Sequence, residues 1–265
     1  MKTSLPPKQD LMFMKPCFGV RFILGLNTVC GWRCRVNTRE LFLTLEGFET
    51  LRGLEKRIEL NEINMEARVP LLHGHYYHIY NRGNNRENIF FEHGNYLHFL
   101  NLFDKYIHLI ATTFAYCLLK DHFHFLVRIK KEKELAKKFI SDYRKISLPF
   151  SNLFNSYAKS INLSYGRKSS LFQERFKRKM IVTNEELKDV IFFIHNNPVN
   201  HKLTNNYEKY PYSSYKAILS EKETKISRKE VLGIFDGREN FIEFHKNRAN
   251  QSDSYLKELE DSDFD

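Results

Sequence analysis

The sequence has no run of 18 uncharged apolar residues, so no membrane-spanning helix is expected. It has one tryptophan and only four cysteines. Cys17, Cys30, Cys34 and Cys117 make no paired framework, and Cys30 and Cys34 lack a second Cys or His pair at zinc-finger spacing. A reducing cytoplasm is the simplest setting for such thiols. The apolar run from Phe18 to Leu26 is broken by Arg21 and is followed by no small-residue cleavage site, so it does not read as a signal peptide. No internal repeat and no Walker-type glycine-rich loop is present. Phe (23) and Tyr (14) are plentiful instead, and 42% hydrophobic residues in a 265-residue chain argue for a packed core and against wholesale disorder.

Charge is unevenly spread. Lys and Arg exceed Asp and Glu by 42 − 32 = 10, which suggests a polyanionic partner without naming one. Residues 128–180 alone hold 15 basic and 4 acidic residues, net +11. A solvated helix face is the ordinary explanation of a charge run. A block this lopsided, interleaved with Phe and Tyr, better fits a surface that faces phosphates. Residues 1–64 contain the lone Trp32 and three of the cysteines with no clear period, and are expected to be an extension, with Met65 as an alternative start. The acidic end, Lys257 against six acids in residues 251–265, reads as a loose tail.

From residue 75 the pattern is regular. His75–Asn81 is a strand candidate ended by the turn chemistry of Arg82-Gly83-Asn84-Asn85. Leu97, Leu100, Phe103, Tyr106 and Ile107 predict an amphipathic helix over Asn95–Ile110. Thr112–Leu119 and His122–Ile129 are strands that can pair as a hairpin across Lys120-Asp121. A basic helix is expected over Glu134–Ile146, an interruption at Pro149, and a helix over Leu153–Tyr165 ended by Gly166. Leu171–Val182 is a last strand. Thr183-Asn184-Glu185-Glu186 is a capping box opening a helix to Asn197, before Pro198. Strand, helix, hairpin, helix, strand, helix predicts an α+β fold of ferredoxin-like type, an antiparallel sheet with helices packed on one face.

His122-Phe123-His124 is the sharpest chemical signal. Residues i and i+2 of a strand share a face, so two imidazoles project together while Phe123 turns to the core. Two such nitrogens hold a divalent cation if a third ligand arrives from elsewhere. A pair of structural histidines is the competing explanation, and the bulky apolar residues of Ala115–Val127 make burying two partnerless rings costly. On the capped helix, Phe193 and Asn197 are one turn apart. The Asn197 amide can complete a His-His-amide site, or simply be a terminal helix residue before proline.

Four segments, Tyr77–Asn88 (YHIYNRGNNREN), Ala115–Val127, Gly166–Phe176 (GRKSSLFQERF) and Phe193–Val199 (FIHNNPV), stand in an order that resembles the single-tyrosine HUH transposases, especially the REP-associated branch. The resemblance covers roughly residues 65–220, leaving 1–64 as an extension and 221–265 as a helical, acidic tail. It implies a metal-dependent nuclease and strand transferase acting on single-stranded or hairpin DNA, as a monomer or homodimer, in the cytoplasm and on the nucleoid. It implies that His122, His124 and Asn197 ligate Mg²⁺ or Mn²⁺. A tyrosine one turn before the amide would attack the scissile phosphate, and Phe193 stands there. Phenylalanine has no nucleophile. Loss of covalent catalysis, takeover by Tyr157 or Tyr165, and metal-activated water are the three alternatives, the first being favoured. The candidate DNA contacts are Arg82, Arg86, Lys130, Lys131, Lys137, Lys138, Arg144, Lys145, Arg167, Lys168, Arg175, Lys177, Arg178 and Lys179. The rival expectation is a non-catalytic DNA- or RNA-binding protein derived from a transposase.

Overall fold

Alternation of apolar side chains builds the centre of the molecule. The computed structural model describes residues 69–249 apart from 141 and 142; the expectations for residues 1–64, with Cys17, Cys30, Trp32, Cys34 and Met65, and for the acidic end lie outside the described residues. The strands are β1 (Tyr76–Arg82), β2 (Ala111–Leu118), β3 (His122–Ile129) and β4 (Lys177–Ile181). The helices are α1 (His93–Ile107), a single turn α2 (Lys137–Ile140), α3 (Leu148–Ser164), α4 (Asn184–Asn200), α5 (Tyr215–Leu219), α6 (Arg228–Ile234) and α7 (Arg238–Ala249). The sheet order is β2-β3-β1-β4 with every pair antiparallel. This is an α+β fold with a ferredoxin-like strand order.

Period two in β3 divides the core. Phe123, Phe125, Val127 and Ile129 join Tyr77 and Ile79 in one apolar cluster with Phe99 and Phe103 of α1 and Leu153 and Tyr157 of α3. His122, His124 and Leu126 therefore face the other side. Helices were expected on one face; α1 and α3 lie there, and α4 covers the second face as well. The reason is in α4 itself. Val190, Ile191, Phe192, Phe193 and Ile194 are five consecutive buried residues, so apolar surface runs around the helix rather than along one stripe. The sheet covers one side of α4, and α6 and α7 contribute Val231, Phe235 and Phe241 to the same cluster.

Several boundaries differ from the sequence expectation. Pro149 does not interrupt a helix; it sits in the first turn of α3, where its missing N–H costs nothing. Pro198 lies inside α4, which runs on to Asn200, and its carbonyl accepts from Leu203 N at 2.9 Å and Thr204 N at 3.3 Å. A proline one turn from a helix end removes one backbone hydrogen bond, and burial of residues 190–195 and 197 outweighs that loss. The basic segment 134–146 is not one helix but short turns, docked by Leu135, Phe139 and Ile146. The last strand shrinks to Lys177–Ile181, because the Leu171 carbonyl accepts from Asn84 in the turn after β1 and Gln173 N donates to Arg82 at the end of β1 instead.

Candidate functional site

The end of β1 organises the site. A Cβ on Gly83 would stand 2.0 Å from the Glu87 carbonyl oxygen, so this turn closes only with glycine. Gly83 N donates to the Asp121 carbonyl at 2.7 Å, tying β1 to the β2–β3 turn. The buried Arg82 guanidinium lies 3.6 Å from the Asp121 carboxylate. Burial raises the Asp121 carboxyl, but its hydrogen bond with His122 and the Arg82 charge prevail and hold it below the ordinary range.

His122 and His124 project from β3 onto the face covered by α4, and both are fully buried. His122 Nε2 is 3.0 Å from Asn197 Oδ1 on α4, and His122 Nδ1 is 2.7 Å from Asp121 Oδ1. The two imidazole centroids are 5.2 Å apart. His124 Nδ1 is 3.0 Å from Nε2 of His78, which reaches it from β1. Burial first, then neighbouring cationic groups, drives the His124 pKa well below its ordinary value, and burial with Lys179 lowers His78 to about 3. Phe193 fills the wall, its ring edge-on to His124 at 5.4 Å and to His78 at 5.8 Å. Tyr80 stacks on His78 at 4.8 Å and His124 at 5.9 Å. The exposed His201 ring, 4.5 Å from His122, forms the outer rim.

Proton positions follow from these contacts. A carboxylate accepts only, so His122 Nδ1–H donates to Asp121 and Nε2 of the neutral ring is a lone pair. That lone pair meets Asn197 Oδ1, a second acceptor. The contact is favourable with a second proton on His122, with the Asn197 amide turned so that its N–H donates, or with a cation held by both atoms. Asn197 is fully buried and its Nδ2 has no hydrogen-bond partner among the described residues. His78 and His124 are both neutral, and His124 offers a lone pair at Nε2 when its Nδ1–H donates to His78. Each histidine of the HxH pair thus has its Nδ1 held by an outer residue, the arrangement that orients imidazole ligands. Sequence reasoning singled out His122, His124, Phe193 and Asn197 but missed Asp121 and His78. The carboxylate adjoining the first histidine and a histidine at an inward position of β1 were the available signals.

The other sequence candidates are elsewhere. Tyr157 is fully buried on the opposite face of the sheet, and its hydroxyl donates to the Ile89 carbonyl at 2.8 Å. Burial pushes its phenol up, away from easy ionisation. Tyr165 stacks on Phe91 and bonds to Glu92 and Asn95 at the start of α1. Neither phenol joins the imidazoles. The cationic segment is also divided. Lys130, bonded to the His108 carbonyl, and exposed Lys131 follow the far end of β3, roughly 25 Å or more from His122 at about 3.3 Å per residue. Lys137, Lys138 and Lys145 are exposed on the turns beyond, while the Arg144 side chain lies outside the described residues. Arg86 and Lys168 are exposed near the β1 turn and the α3 terminus, and Arg167 pairs with Glu87 at 2.6 Å. Arg175 and Arg178 line a groove beside α3; Lys177 and Lys179 are half-buried on β4.

No family model matches the chain, and no curated protein does. Among solved structures, a REP-associated tyrosine transposase bound to a REP hairpin aligns over 58% of this chain and 84% of that chain, at 13% identity and TM-score 0.47. A bacterial tRNA(His) guanylyltransferase-like protein in complex with GTP aligns over 59% of this chain and 79% of that one, at 13% identity and TM-score 0.33. The same kind of protein with ATP aligns over 60% and 71%, at 14% identity and TM-score 0.33.

Proposed function

We propose that this chain binds single-stranded or hairpin DNA as a transposase-like protein, and that His122, His124 and Asn197 hold one divalent cation. The single observation that supports the cation is the approach of His122 Nε2 to Asn197 Oδ1 at 3.0 Å, with the Asp121 carboxylate behind the ring. The donor set fits such an ion: up to two imidazole nitrogens and an amide oxygen. Imidazole donors favour Mn²⁺ over Mg²⁺, which prefers oxygen. A bound cation at such a site supplies Lewis acidity toward a phosphodiester oxygen. The chain's own residues do the rest: Asp121 and His78 fix the two rings, and Arg82 offers a cation beside the rim.

Covalent catalysis does not belong to the reading. Phe193 occupies the one position a turn before Asn197 and has no hydroxyl, and its buried ring stands edge-on to His124. The reading is therefore a DNA-binding protein that forms no tyrosyl adduct. A hairpin oligonucleotide with a single-stranded flank, incubated with the protein and Mn²⁺, is expected to bind with an affinity that falls steeply with salt, and to give no covalent adduct on a denaturing gel. An adduct would overturn the non-covalent reading. Salt-insensitive binding, or none, would overturn the DNA reading itself.

A further inference from the structure

The C-terminal half of α4 and its cap present a ladder to the imidazoles. Phe193, Asn197 and His201 are spaced four apart, so each stands about one turn beyond the last on one side of the helix. Phe193 walls the site and Asn197 supplies its amide, while His201 stands at the rim. A spacing of four is also the one at which two side chains of a helix grip a single metal ion.

His201 is held in place by its backbone. It caps α4, and its N–H donates to the Asn197 carbonyl at 3.0 Å. Lys202 follows at φ +54°, in the left-handed region, and turns the chain away. Leu203 N and Thr204 N then donate to the Pro198 carbonyl, which ties the turn back onto the helix. The His201 side chain is exposed and makes no hydrogen bond among the described residues, so its ring is uncommitted.

The spacings are those of donors around one ion. A cation about 2.1 Å from an imidazole nitrogen is about 3.2 Å from the ring centroid. Two rings sharing it are then about 4.5 Å apart at a right angle and about 5.2 Å apart at the tetrahedral angle. The His122 ring lies 4.5 Å from His201 and 5.2 Å from His124. Two donors at about 2.1 Å and a right angle are about 3.0 Å apart, and His122 Nε2 is 3.0 Å from Asn197 Oδ1. Among the described residues no three histidine, cysteine or acidic side chains stand in finished metal geometry, so the set closes when the His201 ring turns inward. Exposed side chains change rotamer within nanoseconds.

We propose that His201 is a further ligand of the cation assigned to His122, His124 and Asn197, which makes the site one of three imidazoles and an amide oxygen. The proposal rests on that cation reading and changes its chemistry. Each added imidazole moves a site away from Mg²⁺ and toward the later first-row divalent ions, Co²⁺ and Zn²⁺ among them.

The test titrates the full chain with CoCl₂ at about pH 7.5, where an ordinary imidazole is largely neutral, and reads the visible d–d absorption of the bound ion. The wild type is expected to take up one equivalent. His201→Ala should bind Co²⁺ about 100-fold more weakly and with an altered spectrum. Mn²⁺ leans less on nitrogen donors and should weaken only about tenfold in the same variant. His201→Gln returns an amide oxygen near the same place and should recover part of the Co²⁺ affinity. The residue is exposed, so neither variant disturbs the core. An unchanged spectrum and Co²⁺ affinity in His201→Ala, with binding lost in His122→Ala, overturns His201 as a ligand and leaves the cation reading standing. No Co²⁺ uptake by the wild type, or equal uptake by His122→Ala, overturns both.

Discussion

Helix α4 meets a histidine site on each of two faces of its C-terminal turns, through His195 on one and Phe193 with Asn197 on the other, and the two are built differently. Around His195 every ring nitrogen is accounted for. His245 Nδ1 donates to the Phe241 carbonyl at 2.8 Å, which makes its Nε2 an acceptor from His195 Nδ1–H at 2.9 Å. His195 Nε2 then accepts from the Ser214 hydroxyl at 2.8 Å, and Ser214 Oγ accepts from Tyr116 N at 2.9 Å. The chain of donors has one direction and no loose end. Around His122, by contrast, Nε2 faces the oxygen of an amide, while Asn197 Nδ2 and His78 Nδ1 have no hydrogen-bond partner among the described residues. Buried polar groups that are fully satisfied specify packing; those that are not carry a cost that a ligand can relieve. The first site fastens α7 and β2 to α4. The second leaves buried polar atoms that the proposed cation would satisfy.

Metal binding is the strongest way to break that contrast. Titration with Mn²⁺, followed by electron paramagnetic resonance, is expected to show one site in the wild type and no measurable binding in His122→Ala. His245→Phe, which cuts the satisfied chain, should leave Mn²⁺ affinity within about twofold. Equal loss in both variants would mean that the two clusters are one structural unit and that the distinction is false. Asp121→Asn keeps the shape but weakens the partner of His122 Nδ1, and should lower Mn²⁺ affinity about 10- to 100-fold.

Acid sharpens the contrast from the other side. Burial lowers His245 to about 4 against an unfolded value near 6.5, so the folded ring resists the second proton that the unfolded chain accepts. Stability from this group is complete above pH 6.5 and is lost as the pH falls from 6.5 toward 4. A difference of about 2.5 units corresponds to roughly 3 kcal/mol. Urea denaturation across that range is expected to show the decline, and His245→Phe should lessen it by this share while the lowered His78, His124 and His195 keep contributing. An unchanged slope in the variant would remove His245 as its source. Next in size, Ser214→Ala strands both Tyr116 N–H and His195 Nε2, and should cost about 2 kcal/mol by the same measurement with no change in Mn²⁺ binding.

Much of the architecture is legible in the sequence because it depends on local alternation. β3 was bounded from its apolar alternation alone, and the inward Phe123 and Phe125 place His122 and His124 opposite them. The capped start of α4 follows from Thr183 and Glu186, whose N–H the threonine oxygen accepts at 3.1 Å. What was not legible depends on contacts distant in the chain. The carbonyl of Pro198 is capped by residues beyond the helix, so proline did not stop it. The His195–His245 chain joins residues 50 apart and has no spacing signature. His78 becomes the partner of His124 through the pairing of β1 with β3, two residues out of direct register, which neither strand announces alone.

The smallest effect concerns Tyr157, which composition and helix position made a fallback nucleophile. Its hydroxyl is spent on the Ile89 carbonyl, and its ring packs edge-on to Phe99 at 4.9 Å on the face of the sheet away from His122. Tyr157→Phe keeps the ring and deletes one buried hydrogen bond. The buried Ile89 carbonyl loses this donor, so the cost should be about 1 kcal/mol, read as a small shift of the urea midpoint. Mn²⁺ affinity and hairpin binding should be unchanged, since the phenol reaches neither the imidazoles nor the groove beside α3. A tenfold fall in either would mean that the sheet transmits strain between its faces, and the separation of a structural from a functional face would have to be abandoned.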